Sequence, residues 1–124
     1  MGYIAKPTEH ERLVCLDIET VPDRSLIPEW QSGKFPPKPI WHKVVAISFV
    51  EATLEKGPDR AERYVVRACR SGGQADWDEE RLLRKFWEEF FSGPQARVVT
   101  WNGRGFDLPV LRVRAMMYGI SAES

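Results

Sequence analysis

Leu13-Val14-Cys15-Leu16-Asp17-Ile18-Glu19-Thr20 begins as an apolar run suited to a buried strand, then sets two carboxylates on alternate residues inside it. In a strand, residues i and i+2 point to the same face, about 7 Å apart. Asp17 and Glu19 therefore share one face, while Leu16 and Ile18 fill the other. Two carboxylates at the end of a core strand repel each other and resist burial. Two arrangements satisfy the pair. Either both reach solvent where the strand leaves its sheet, or a divalent cation lies between them, for which hard oxygen ligands select Mg²⁺ or Mn²⁺.

The chain of 124 residues has the size of one small domain, and its 43% hydrophobic and 29% charged residues are ordinary for a globular fold. Lys plus Arg and Asp plus Glu are balanced at 18 each, so no bulk charge recruits nucleic acid or a membrane. A polyanion would have to use a local patch or a metal. The longest apolar run, 44–50, is far short of the roughly 20 residues of a membrane span. The N-terminus lacks a signal-peptide core. Cys15 and Cys69 form no Cys-x-x-Cys motif, and Cys15 reads as a small buried hydrophobe. A cytoplasmic location with reduced thiols is expected.

After a first strand over 12–19, the segment 21–43 carries Pro22, Pro28, Pro36, Pro37 and Pro39 with Ser32-Gly33, which excludes regular structure from most of it. Loops this long tend to be binding loops or disordered. Trp30, Phe35 and Trp41 stand among Lys34, Lys38 and Lys43, a mixture suited to the bases and phosphates of a single-stranded nucleic acid. The aromatics could equally pin the loop to the core, the better fit for Trp41. A near-continuously apolar second strand over 44–50 implies cover on both faces. A more exposed third strand follows over 63–68, and the short linker at Gly57-Pro58 makes the three an antiparallel meander.

Asp76 and Glu79 have the spacing of a capping box, and Leu82, Leu83, Phe86 and Phe90 continue it as the core stripe of a helix ended by Gly93-Pro94. A fourth strand over 97–101, reached by a crossover, is expected to run parallel to the first. The second helix opens near Asp107, with Pro109 in its first turn and Gly119 as its C-terminal cap. Leu108, Leu111, Ala115 and Tyr118 face inward, and Arg112 and Arg114 either solvate the outer face, the default for such residues, or touch phosphate. Between strand and helix, Trp101-Asn102-Gly103-Arg104-Gly105-Phe106-Asp107 brings backbone amides and a helix N-terminus together, which favours negative charge. Asp107 alone would serve as an N-cap and Asn102 as a turn residue.

Taken together, Asp17-Ile18-Glu19-Thr20 and the later Asn102-x-x-x-Phe106-Asp107 resemble the first two motifs of the DEDD 3′→5′ exonucleases. The likeness is closest to the proofreading domain of family-B DNA polymerases. The flanking Phe35-Pro36-Pro37, His42-Lys43-Val44-Val45-Ala46-Ile47-Ser48 and Leu108-Pro109 look like a group of predicted bacterial exonucleases related to that domain. The resemblance implies a ribonuclease-H-like α/β fold: a mixed sheet of three antiparallel strands followed by parallel ones, with helices on both faces. It also implies phosphodiester hydrolysis at the 3′ end of single-stranded DNA or RNA, with two Mg²⁺ or Mn²⁺ ions on Asp17, Glu19 and Asp107. Thr20, Asn102 and Phe106 would contact the substrate.

One part of the family pattern is absent. The third motif, a Tyr or His ahead of a fourth carboxylate on a later helix, has no counterpart: no Asp follows Asp107, and the last acid is Glu123. Tyr118 has Ala122, not an acid, four positions on, and His10 and His42 precede the second motif. The expectation is a single, incomplete exonuclease domain over 1–124, lacking the last strand and helix and impaired in activity. The alternative is an inactive nucleic-acid- or protein-binding module of the same fold. An open edge on the fourth strand would allow a homodimer.

Overall fold

The computed structural model of the chain describes residues 11–31, 33, 35–73, 78–90 and 96–122, with only the backbone at Phe90 and Arg104. Alternation of apolar and polar side chains makes β1 (Arg12–Pro22), with Val14, Leu16 and Ile18 buried and Cys15, Asp17 and Glu19 exposed on the opposite face. β2 (His42–Lys56) and β3 (Glu62–Gly72) extend it as an antiparallel meander. The short β4 (Arg97–Val99) pairs parallel to β1, giving a four-stranded mixed sheet in the order β3-β2-β1-β4. These pairings match the expected topology. They position the site because β1 is central and β4 delivers the second motif to its side.

Helix α1 (Glu79–Arg84), continued by a π-helical turn over Lys85–Phe90, buries Leu82, Leu83, Phe86 and Trp87. Its N-cap is Asp78, whose carboxylate accepts from the Arg81 amide at 2.7 Å. The expected cap, Asp76, and the expected stop, Gly93-Pro94, lie outside the described residues. Helix α2 (Leu108–Met117) buries Val110, Leu111, Arg114 and Ala115. It ends as expected at Gly119, whose φ of 69° suits glycine. There the Ile120 and Gly119 amides donate to the Ala115 and Met116 carbonyls at 3.0 and 3.1 Å, a Schellman closure.

Both helices pack on the same face of the sheet, against Val14, Leu16, Ile18, Val44, Ile47 and Phe49. The two-sided cover expected of β2, and the helices expected on both faces, are not seen among the described residues. Val44, Ile47 and Phe49 are buried, but Val45 and Ser48 on the other face are exposed. Cys15 is corrected for the same reason. Strand alternation puts its thiol on the uncovered face, beside Asp17, and both cysteines are exposed free thiols. No helix among the described residues is long and apolar enough to cross a membrane.

The segment after β1 is irregular, as its prolines dictate, apart from short 3₁₀ turns at Glu29–Gln31 and Pro39–Trp41. Trp41 is buried and pins the loop, whereas Trp30 and Phe35 are exposed. A larger departure concerns Glu79 and Arg114, which sequence pattern assigned to a capping box and to the solvent side of a helix. Both are buried against each other. Arg114 Nε donates to Glu79 Oε2 at 2.9 Å, and its Nη1 donates to Asp23 Oδ2 at 3.0 Å and the Ile40 carbonyl at 2.7 Å. Glu79 also accepts from the Val44 amide at 2.7 Å and the Tyr118 hydroxyl at 2.6 Å. The guanidinium thus ties both ends of the proline-rich loop to α2.

Candidate active site

The chain leaves β4 at Val99 and makes a π-helical turn over Gly103–Asp107 before α2. The Asn102 carbonyl accepts from the Phe106 amide at 2.9 Å and the Asp107 amide at 3.4 Å, and the Leu108 amide donates to the Gly103 carbonyl. Turns of this wide type recur at functional sites. The turn is tight around its polar side chain, since a Cβ on Gly105 would lie 2.8 Å from Asn102 Oδ1. Asp107 is swung inward and only 6% exposed. It makes no side-chain capping bond to α2, so the ordinary role of an aspartate at a helix start is not the one it plays here.

A cavity of ≈ 420 Å³ opens in front of it, lined by Asp17, Asn102, Phe106 and Asp107, by Phe35, Pro36 and Pro37 of the loop, and by His42 at the start of β2. Asp17 and Asp107, far apart in sequence, thus face one space. Burial, chiefly, holds the Asp107 carboxyl above the usual carboxylate range; its own backbone amide opposes the shift, and the negative charge of Asp17 adds to it. Glu19 shares the exposed face of β1 with Asp17 but does not line this cavity. Among the described residues, no group of three or more His, Cys, Asp or Glu side chains is arranged to hold a metal ion.

Phe106 packs edge-on to the His42 ring, with centroids 4.8 Å apart, and Phe35 lies 4.9 Å from the same ring. His42 belongs to the family-like stretch of the sequence but was not among the expected site residues. It is buried, and its Nε2 is 2.7 Å from the Pro36 carbonyl, which can only accept, so Nε2 carries the proton. In the neutral ring, Nδ1 then accepts from the Thr20 hydroxyl at 3.2 Å. Thr20 therefore follows Ile18 onto the core side and meets the cavity through His42. A bulge accompanies this change: pairing steps from Glu19–Ala46 to Thr20–Val44, leaving Val45 as an extra residue. Bulges of this kind re-aim side chains beside active sites.

Residues 34–124, more than half of the chain, match the family model described as predicted 3′-5′ exonucleases related to the exonuclease domain of PolB. The chain belongs to this family. The matched segment holds the Asn102-to-Asp107 turn, the His42 strand and both helices, while Asp17 and Glu19 on β1 precede it. No relative among curated proteins matches the chain. The mixed sheet with two helices agrees with the ribonuclease-H-like α/β architecture expected of such an exonuclease.

Proposed function

We propose that this chain forms a metal-dependent 3′→5′ exonuclease domain that hydrolyses phosphodiester bonds at the 3′ end of single-stranded DNA or RNA. The observation that carries the proposal is the meeting of Asp17 and Asp107 at one cavity, with Asp107 desolvated and charged against its neighbour. A hard dication fits this donor set, because it would relieve both the burial and the repulsion. Mg²⁺ commonly takes only one or two protein carboxylates and completes its shell with water and substrate phosphate. Asp17 and Asp107 would hold it, and Glu19, two residues on along the same face of β1, is the third carboxylate that the family resemblance implies. When bound, such ions supply Lewis-acid polarisation of the phosphate and a more acidic attacking water.

The remaining roles belong to the chain itself. Phe106, fixed against His42, offers an apolar surface to the terminal sugar or base. The Asn102 amide, held close to Gly105, offers a donor and an acceptor at the mouth of the cavity. Thr20 acts through His42, fixing the ring that supports both Phe35 and Phe106.

A 3′-labelled single-stranded oligonucleotide incubated with Mg²⁺ or Mn²⁺ tests the proposal. It should release labelled mononucleotide, and Asp17→Ala and Asp107→Ala should each abolish release. A second reading is favoured by the absence of a third cation-holding carboxylate at the cavity among the described residues. On that reading the domain binds 3′ ends without cleaving them. Binding that survives Asp17→Ala, with no release by the wild type, would support it.

A further inference from the structure

Trp101 is fully exposed, an unusual position for the side chain with the most apolar surface to lose. Its location is specific. Val99 ends β4 in parallel register with Cys15, and Trp101 follows two residues on, in the bend that leaves the strand. Trp101 and Asp17 both line the cavity that holds Asp107. The same two residues also line a second hollow, of ≈ 440 Å³, that runs across the sheet over Cys15, Ser48, Val50 and Ser71. The two hollows therefore lie side by side, with Asp17 and Trp101 lining both. Phe35, also exposed, stands on the loop wall of the first.

We propose that Trp101 is the stacking platform for the base that precedes the 3′-terminal nucleotide of a single strand, and thereby a determinant of single-strand preference. The inference rests on the exonuclease reading above. The cavity lined by Asp17, Asp107, Asn102 and Phe106 accommodates the terminal nucleotide, and the next must pass Asp17, where the indole presents an open face. Base stacking on an aromatic ring is tolerant of sequence and needs an unstacked base. A duplex end keeps its bases stacked on each other and gains nothing from this ring. The hollow over the sheet carries the strand onward, its sides formed by Val50, Val99 and the Ser48–Ser71 hydroxyl pair at 3.1 Å.

The test uses fluorescence anisotropy in Mg²⁺ with a 5′-fluorescein oligothymidylate whose 3′-terminal linkage is a hydrolysis-resistant phosphorothioate. Thymidine 5′-monophosphate serves as the competitor. Trp101→Ala should weaken the oligonucleotide about tenfold or more, with Trp101→Phe recovering most of the loss, and should leave competition by the mononucleotide unchanged. Because the ring is exposed, the variants should keep the wild-type Tm. Three results would overturn the proposal: unchanged oligonucleotide affinity, equal loss for oligonucleotide and mononucleotide, or a changed oligomeric state by light scattering with nucleotide affinity intact. Wild-type protein that binds no oligonucleotide would bring down the exonuclease reading together with this one. Wild-type binding that Trp101→Ala leaves untouched would bring down this one alone.

Discussion

Arg114 grips Glu79 with two parallel hydrogen bonds, Nε to Oε2 at 2.9 Å and Nη2 to Oε1 at 2.5 Å, and each side chain is 1% exposed. Paired guanidinium and carboxylate in this fork geometry form one of the stronger polar contacts available to a protein. Its consequence is positional. α2 begins beside Asp107, and through Arg114 the same helix holds Asp23 and Ile40, the two ends of the loop that walls the cavity. Stability and site geometry are therefore coupled through one side chain.

Glu79→Ala should cost about 3–5 kcal/mol in urea unfolding, because it breaks the buried ion pair, leaving Arg114 with Asp23 alone as its carboxylate, and strips the Val44 amide of its acceptor. The double variant Glu79→Leu with Arg114→Met should recover only part of that loss: it removes the buried guanidinium but leaves the Val44 amide and Tyr118 hydroxyl without their acceptor. It should nevertheless bind oligonucleotide less tightly than wild type, because Asp23 and the Ile40 carbonyl lose their donor.

Asp107→Asn should stabilise the metal-free protein at neutral pH, by about 4 °C in Tm if the gain is about 1 kcal/mol. The sign follows from the raised carboxyl. Between the ordinary value of 3.8 and the higher folded value, the folded state holds more protons than the unfolded one. Wild-type stability from this group is therefore fully present at acidic pH and falls as pH rises through that window. Tm measured against pH should show the two proteins converging below about pH 4, where the wild-type carboxyl is neutral in both states. Saturating Mn²⁺ should reverse the neutral-pH order, adding about 2.7 kcal/mol to wild type at 100 times its Kd and nothing comparable to the variant.

Tyr118 should ionise late. Burial, and then the hydrogen bond to Glu79 and its charge, push the phenol up to about 12 from 10.0. The folded state then holds the proton that the unfolded state releases, so stability declines as pH rises from about 10 to about 12. Ultraviolet titration of tyrosinate should show a component in that range that Tyr118→Phe removes, and the substitution should cost about 1 kcal/mol at neutral pH.

The order of elements was legible because each rests on local chemistry: alternation in β1, prolines after it, Gly57-Pro58 before β3, a 3.6-residue stripe in α1 and Gly119 after α2. The pairing of Glu79 with Arg114 was not, because 35 residues separate them and each has an adequate local role in helix capping or solvation. The apolar run of β2 suggested burial on both faces, yet hydropathy cannot tell which of two faces the helices will choose. Cys15 was misplaced by the same ambiguity. At the site, Asp17 and Asp107 were found as motif carboxylates. His42 stood in the family-like stretch His42–Ser48 but was given no role at the site, since that role comes from Thr20, Pro36 and Phe106 closing around it.

The meeting of Asp17 and Asp107 at one cation site is tested most directly by calorimetric titration of Mn²⁺ into wild type, Asp17→Asn and Asp107→Asn. Wild type should bind with measurable heat, and each single variant should bind at least about tenfold more weakly, a loss of about 1.4 kcal/mol. Equal Mn²⁺ affinity in all three proteins would show that these carboxylates do not share an ion, and would contradict the account.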